Sequence, residues 1–366
     1  MHGHSHDIPD TPEVRAKIDE AQTAALSALG IDARKVAVWE DGFRSVDELD
    51  RSFEWWYFDM HLDDGSTLVA TYNSKPNTAP DGPLDPSVLI IYHGADGTKI
   101  RSDVRHPADT FSAKRDNCDV TVGPNTVRGD LEHYELHLDD AGVVADLRLD
   151  RASPSWRPGA GLTYFDSAHK DYFGWVVPVP YGKVSGTITV DGETREVTGS
   201  GYHDHNWGNK VMDAGLDHWF WGRAHIGDYT VVYVKMTTKG LFGLGSINIP
   251  TFLLAKGDEV ITDDMVPLRL ETSGEVDGPG HQSYPTELRW IWRTDEGSVE
   301  MHVTNVEMIE ALDMSSEHKG PLHGLRALFE HPQYYDFNAD MTLSIDLGGI
   351  NETVTGRTLF EKMMFR

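Results

Sequence analysis

The stretch Gly199-Ser-Gly-Tyr-His-Asp-His-Asn-Trp-Gly208 decides how the rest of the chain is interpreted. A segment of ordinary strand alternation leads into it, from Lys183 to Val190, through an Asp191-Gly192 turn, and on from Glu193 to Thr198. Glycine weakens a strand unless a bulge or a close backbone approach requires it. Three glycines among two histidines, an aspartate, an asparagine and two aromatic residues therefore indicate a strand with a special task.

The ionisable side chains of this stretch divide between two faces if the extended conformation continues. Successive side chains of a strand point to opposite faces. One face is then expected to carry Tyr202, Asp204 and Asn206, and the other His203, His205 and Trp207.

Two other stretches mix ionisable and aromatic residues in the same way. They are Phe53-Glu-Trp-Trp-Tyr-Phe-Asp59 and Asp217-His-Trp-Phe-Trp-Gly-Arg223. This composition is typical of a ligand pocket. The side chains that we expect to bind substrate are Trp55, Trp56, Tyr57, Tyr202, His203, Asn206, Trp219, Trp221 and Arg223.

The charge of the chain disfavours two classes of anionic partner. The sequence has 366 residues and a net charge of −27. Nucleic acids and anionic membrane surfaces are bound by clustered lysine and arginine, so neither is an expected partner.

The single cysteine, Cys118, cannot form an intramolecular disulfide and is expected to be a small buried hydrophobe. The N-terminus lacks the features of a secretory signal, and no run of about 18 apolar residues occurs, so a soluble cytoplasmic protein without stable membrane insertion is expected. The sequence does not specify an oligomeric state.

The spacing of apolar residues predicts an all-β fold with one N-terminal helix. Thr11 suits the N-cap, Pro12 the first helical position and Gly30 the stop of a helix that ends at Leu29. From Trp55 onward, short alternating segments separated by turn residues predict a series of hairpins that form a sandwich or a barrel. We place one β-domain at residues 36–212 and a second at 213–366, after an N-terminal segment of residues 1–35. The central stretch would then lie where the two domains meet, a favoured location for a ligand.

Asp204 is the main candidate for acid catalysis. A carboxyl group among aromatic residues loses solvation, which raises its pKa and lets it hold a proton near neutral pH. The structural alternative is that Asp204 caps a turn beside Gly208. Glu54, within the other aromatic stretch, is a second protonatable carboxylate by the same reasoning. Tryptophans nearby could stabilise developing positive charge, or could simply form core.

The two histidines permit a metal alternative. Histidines at positions 203 and 205 of one strand point the same way and could share an ion, with a third ligand from Asp217, His218 or His225. No cysteines or carboxylates sit at characteristic spacing around the pair, so hydrogen-bonded histidines are the competing interpretation and we expect neither a metal nor a cofactor.

The motifs Glu54-Trp-Trp-Tyr-Phe-Asp59 and Gly201-Tyr-His-Asp-His-Asn-Trp-Gly208 resemble the paired signatures of the carotenoid 1,2-hydratase (hydroxyneurosporene synthase)-like superfamily. The same group includes fungal lipocalin-like Diels–Alderases and kievitone hydratase-like proteins. The resemblance implies two lipocalin-like antiparallel β-barrel or sandwich domains side by side, with a hydrophobic ligand near their junction. It also implies chemistry without a cofactor, and the aspartate suspected as the acid of the family corresponds to Asp204.

The leading hypothesis is a cofactor-independent lyase or isomerase, of hydratase or cyclase type. Asp204 would protonate a double bond of an apolar terpenoid- or polyketide-like small molecule, and His205 would orient Asp204 or accept a proton from water. Two other hypotheses stay open. One is a non-catalytic lipocalin-like carrier of a hydrophobic molecule, and the other is a metal-dependent enzyme that uses His203 and His205.

Overall fold

A computed structural model describes the fold of residues 5–45, 51–165, 168–210, 215–240, 246–313 and 333–365. The chain forms two compact units, one of Ala21–Val211 and one of Met1–Glu20 with Met212–Arg366. The domain boundary placed between residues 212 and 213 falls outside the described residues. That boundary and the position of the central stretch between the domains both stay predictions.

The expected N-terminal helix is present as α1, Pro12–Leu29. Thr11 Oγ1 accepts a hydrogen bond from the Val14 N–H at 3.3 Å, as an N-cap residue does. Gly30 has a φ of +67°, a conformation that glycine adopts without strain, and the Ile31 N–H bonds the Leu26 carbonyl. The caps read from the sequence are therefore confirmed. Among the helices in the described ranges, none combines the length and the apolar character that crossing a membrane requires.

Nearly all of the remaining regular structure is strand. Strand β1 (His6–Asp7) precedes α1 and belongs to the second unit. The strands of the first unit are β2 (Phe53–Leu62), β3 (Thr67–Asn73), β4 (Ser87–His93), β5 (Lys99–Arg105), β6 (Phe111–Ala113), β7 (Cys118–Val122), β8 (Asn125–Gly129), β9 (His133–Asp140), β10 (Val143–Arg151), β11 (Leu162–Tyr164), β12 (Tyr172–Val190) and β13 (Glu193–Gly208). In the second unit they are β14 (Leu216–Ile226), β15 (Tyr229–Thr238), β16 (Ile247–Lys256), β17 (Glu259–Thr262), β18 (Arg269–Ser273), β19 (Val276–Asp277), β20 (Ser283–Tyr284), β21 (Glu287–Thr294), β22 (Gly297–Asp313), β23 (Gln333–Leu347) and β24 (Ile350–Met364). Short 3₁₀ turns lie at Val38–Asp41, Ala108–Thr110 and Pro279–His281.

Each unit has its own curled antiparallel sheet. In the first, the strand order is β5-β4-β3-β2-β13-β12-β10-β9-β8-β7-β6, with β11 beside β12. In the second it is β1-β16-β15-β14-β24-β23-β22-β21-β18, with β17 beside β16, and among the described strands of this sheet only the β1–β16 pair is parallel. Residues from both ends of the first sheet pack against one apolar cluster, so the sheet curves around its own core. In the second sheet, residues of β16, which lies next to β1, and of β18 at the opposite end also pack against one apolar cluster. The predicted all-β fold is confirmed.

The first half of β12 was not predicted from the sequence. Its segment contains Pro178 and Pro180, and proline cannot donate to a ladder of hydrogen bonds. In the structure the pairing of β12 with β13 shifts register between Val176 and Val179 and again between Val179 and Gly182. These irregularities accommodate the prolines, so β12 runs on from Tyr172 and forms a long flank beside the central stretch.

Candidate active site

The two signature motifs are neighbouring strands of the first unit. β13 pairs antiparallel with β2, so that Asp204 stands opposite Tyr57, His205 opposite Trp56, and Asn206 opposite Trp55. Glu54 of one motif and His205 of the other are 151 residues apart in sequence. The fold therefore brings the two motifs side by side, a contact that the sequence suggested but could not show.

The predicted alternation of faces along β13 is confirmed. His203 and His205 lie on the inner face, where their rings stack on Phe58 (centroids 4.0 Å apart) and on Trp56 (4.6 Å). Both of those aromatic residues belong to the apolar core of the sheet. Asp204 lies on the opposite, outer face. The two faces of β13 therefore have different surroundings.

Asp204 lies at the centre of the outer face. Its Oδ2 accepts hydrogen bonds from the Tyr202 hydroxyl at 2.8 Å and from the Trp175 indole N–H at 3.0 Å. Its Oδ1 accepts one from the Asn206 amide at 2.7 Å. The residue is 7% exposed. Burial raises the pKa of Asp204, while the donors from Tyr202 and Trp175 act against that rise. The side chain is held by three donors rather than capping a turn.

Aromatic rings surround this carboxyl group. The Trp156 and Trp175 rings meet edge to face with centroids 5.7 Å apart, and Tyr57 meets Tyr202 in the same manner at 6.2 Å. Trp175 comes from β12, directly opposite Asn206 in the ladder. Trp175 was not predicted from the sequence, because the prolines that follow it obscure the strand pattern. Its only sequence signal is a tryptophan among apolar residues.

His205 and Glu54 form a pair on the inner face and make no contact with Asp204. The His205 Nε2 lies 2.7 Å from Glu54 Oε1. Glu54 also accepts hydrogen bonds from the backbone N–H groups of Arg44 (2.6 Å) and Ser45 (2.8 Å) and from the Ser45 hydroxyl (2.7 Å). The expectation that His205 orients Asp204 was therefore wrong, because adjacent side chains of a strand diverge. Tyr202, Trp175 and Asn206 do so instead.

His203 is held on the same inner face by a residue that the sequence analysis missed. Its Nδ1 lies 2.9 Å from the Tyr57 carbonyl, and its Nε2 lies 3.1 Å from Oδ2 of Asp41. That carboxylate oxygen also accepts a hydrogen bond from the Tyr134 hydroxyl at 2.5 Å. Asp41 ends the 3₁₀ turn Val38–Asp41 and is 1% exposed. Nothing in the local sequence marks it, since it meets His203 across 162 residues.

The third metal ligands suggested by the sequence lie in the other unit. Asp217, His218 and His225 are on β14, where His218 contacts Asp217 at 2.8 Å and His225 contacts Thr230 at 2.9 Å. Within the described part of the chain, the potential ligands that cluster are instead Asp41, Cys118 and His203, whose ligand atoms all lie within 4.8 Å of one another. Cys118 is buried, as expected, but it faces this polar group. Burial and the nearby Asp41 carboxylate raise the pKa of its thiol well above the usual range.

The remaining candidates lie on β14. Trp219, Trp221 and Arg223 are half-buried and alternate with Phe220 and Ala224, which are core residues of the second unit. The Trp219 indole N–H donates to Glu361 Oε1 at 2.7 Å. Their membership of one site with Asp204 stays a prediction.

Comparisons with known proteins agree with this architecture. Residues 109–244, which include the central stretch, match the family model of the carotenoid hydratase CrtC. The resemblance inferred from the two motifs is confirmed. The chain is 26% identical to a quinolone epoxide rearrangement protein of Penicillium thymicola over 51% of this chain and 56% of that protein. It is 27% identical to a hydroxyneurosporene dehydrogenase of Chlorobaculum tepidum over 52% and 58% of the two chains. The chain thus spans little more than half the length of these curated relatives.

Solved structures extend the likeness to the whole fold. The structure of CghA with Sch210972 has a TM-score of 0.62 and 14% identity, and the match covers 91% of this chain and 97% of CghA. Kievitone hydratase from Nectria haematococca has a TM-score of 0.54 and 15% identity, covering 91% and 96%. At such low identity these likenesses concern the fold alone. Both units are lipocalin-like.

Proposed function

We propose that this chain is an enzyme of hydratase or isomerase type that protonates a double bond of an apolar small molecule without a cofactor. The proposal depends on one observation: the carboxyl group of Asp204 is buried among aromatic rings and accepts hydrogen bonds from three donors. The names of the relatives support this class of chemistry, since they include a hydratase and a rearrangement protein. A terpenoid- or polyketide-like alkene is the proposed substrate class.

Asp204 is the proposed general acid. Its proton passes to one carbon of the double bond, the π electrons form the new C–H bond, and the other carbon becomes a cation. In a hydratase, water then adds to that cation and loses a proton. In an isomerase a neighbouring C–H loses its proton. In a cyclase an internal π bond attacks the cation, and the new cation then loses a proton. In each case the proton returns to the Asp204 carboxylate or to water. Each outcome begins with the same proton transfer, which a positioned acid accelerates by roughly 10²–10⁴-fold.

The three donors around Asp204 explain why proton release there is feasible. After the transfer a carboxylate is left in a site shielded from water, where an unpaired charge is costly. Tyr202, Trp175 and Asn206 already point N–H and O–H groups at both of its oxygens. They therefore stabilise the charge that develops without any rearrangement. The indole and phenol faces nearby can stabilise the transient cation.

The inner-face residues take a positioning role in this proposal. His205 with Glu54 and His203 with Asp41 fasten β13 to the interior of the sheet, on the side away from Asp204. They fix which way Asp204 points, and they do not touch the substrate. Glu54 and His205 are thus positioning residues, whereas the sequence analysis assigned them to catalysis.

Solvent deuterium tests the reaction class. The protein is incubated with a panel of apolar alkenes in D₂O, and products are analysed by mass spectrometry and deuterium NMR. Protonation by Asp204 predicts a product with a carbon-bound deuterium, because the carboxyl proton exchanges with solvent between turnovers. A carrier would return every ligand unchanged although it binds, as tryptophan quenching would reveal. A product formed without a carbon-bound deuterium would exclude alkene protonation.

A further inference from the structure

A buried polar cluster on the inner face of β13 remains unused by this chemistry. It contains Asp41, Cys118, His203 and His205, all of them 0–1% exposed. Two of its atoms have no hydrogen-bond partner among the described residues, namely Asp41 Oδ1 and His205 Nδ1. These two atoms face each other at 3.4 Å. A buried polar atom without a partner is costly and calls for an explanation such as an ion.

The outer contacts of the two histidines fix which ring nitrogen faces this cluster. A carbonyl oxygen only accepts hydrogen bonds, so His203 must donate to Tyr57 from Nδ1. Glu54 already accepts from backbone N–H groups, so His205 donates to it from Nε2. In the neutral rings, His203 Nε2 and His205 Nδ1 then carry lone pairs, and both point at the carboxylate of Asp41.

The hydrogen bonds of these two histidines are of the kind that metal-binding histidines usually make. Such a histidine donates its other N–H to a carboxylate or a backbone carbonyl, which orients the ring. Here one histidine uses a carbonyl and the other a carboxylate. If both rings are neutral and no cation is present, their lone pairs face an anionic acceptor, which is unfavourable.

We propose that Asp41, Cys118 and His203 bind one Zn²⁺ ion, with His205 Nδ1 as the nearest fourth ligand. Zinc binds nitrogen, oxygen and sulfur at about 2.0–2.3 Å in a tetrahedron, which places neighbouring ligand atoms roughly 3.3–3.8 Å apart. The His203 Nε2 lies 3.1 Å from Asp41 Oδ2 and the His205 Nδ1 lies 3.4 Å from Asp41 Oδ1, so each histidine has one oxygen of this carboxylate close to that spacing. A thiolate beside imidazoles favours zinc over calcium or magnesium.

The charge balance suits a site in an apolar core. Zinc carries two positive charges, the Asp41 carboxylate one negative charge, and the Cys118 thiolate another once its proton has passed to solvent. With neutral histidines the centre has no net charge, so its burial is less costly than that of an uncompensated ion. The ion would be structural. It would fasten β7, β13 and the 3₁₀ turn Val38–Asp41 together, on the side of β13 opposite to Asp204.

Zinc content tests this proposal without any activity assay. The full chain is purified without chelator, with His2, His4 and His6 changed to alanine so that the N-terminal histidines bind no ion. Elemental analysis should find about one zinc per chain. Asp41→Asn and Cys118→Ala should each lower zinc affinity by more than the roughly tenfold to hundredfold that the loss of an outer-shell partner costs, because both residues are proposed as direct ligands. Asp217→Asn, which alters a buried Asp–His pair in the other unit, should leave the zinc content unchanged.

Cobalt spectroscopy keeps the test valid if those variants fail to fold. Protein refolded with Co²⁺ in place of zinc should show a thiolate-to-cobalt charge-transfer band and the visible bands of a tetrahedral site. Adding a chelator of zinc before thermal unfolding should also lower the melting temperature of the protein. A chain free of zinc after zinc supplementation, a cobalt spectrum without the thiolate band, or zinc retained equally in Asp41→Asn and Cys118→Ala would each overturn the proposal. Asp204→Asn should keep its zinc, so that the zinc proposal can be tested independently of the proposed catalytic activity.

Discussion

His205 Nε2 lies 2.7 Å from Glu54 Oε1, and this contact joins the two signature motifs across neighbouring strands inside the first sheet. Both side chains are completely buried. The contact shows that the motifs share an inner, structural face as well as an outer face. Substitutions on the two faces should therefore have separable effects, on stability in one case and on turnover in the other.

Glu54→Gln should destabilise the protein. The amide would turn an N–H₂ group toward donors that now point at a carboxylate, and it would remove the charged acceptor of His205. Leaving a buried donor without its acceptor costs about 1–3 kcal/mol, and more for charged groups, so we expect a loss of about 3 kcal/mol in the free energy of unfolding. Urea titration measures it, with the exposed Glu132→Gln as the control. A loss as small as that of the control would refute the structural role.

Gly174→Ala should also destabilise the first unit. A Cβ at position 174 would lie 2.1 Å from the indole of Trp207, whose ring packs beside His205 at 5.1 Å. The indole must move, and inserting a methyl group into a packed region costs about 1–3 kcal/mol. Thermal unfolding should show a lower melting temperature than for Ser185→Ala, an exposed change on the same strand. Equal melting temperatures would contradict the packing described here.

Trp175→Phe should lower turnover with little effect on binding. Phenylalanine keeps an aromatic ring against Trp156 but removes the N–H that donates to Asp204 at 3.0 Å. A hydrogen bond to a charged group contributes about 1.5–3 kcal/mol, which corresponds to roughly tenfold to a hundredfold in kcat. Trp292→Phe, in the other unit, removes an indole N–H that donates to a backbone carbonyl and serves as the control. An unchanged kcat would show that the Trp175 donor does not assist Asp204.

Local patterns predicted much of the fold and the division of the central stretch into two faces. The caps of α1 and the alternation along β13 depend on near neighbours in sequence, and both were predicted correctly. The first half of β12 was missed because Pro178 and Pro180 normally exclude a strand, and register shifts accommodate them only once β13 is in place.

The missing parts of the site all come from distant pairings. Trp175 reaches Asp204 because β12 pairs with β13, and Asp41 reaches His203 across 162 residues. Neither relationship leaves a periodic trace in the sequence. The motifs could therefore indicate Asp204, but not the donors and acceptors that hold the two faces in place.

Turnover of Asp204→Asn tests the central claim most directly. Asparagine has nearly the shape of aspartate but has no carboxylic proton to donate. The variant should still fold, although its N–H₂ group meets a donor that now points at Asp204 and costs about 1–3 kcal/mol. Its ligand affinity should be kept, as tryptophan quenching would show, while kcat falls by about a hundredfold or more. Asp140→Asn, a change in a carboxylate that accepts from Asn125 and contacts His106 in the same sheet, controls for general effects of the substitution. Turnover of Asp204→Asn equal to that of the unaltered protein would contradict Asp204 as the acid.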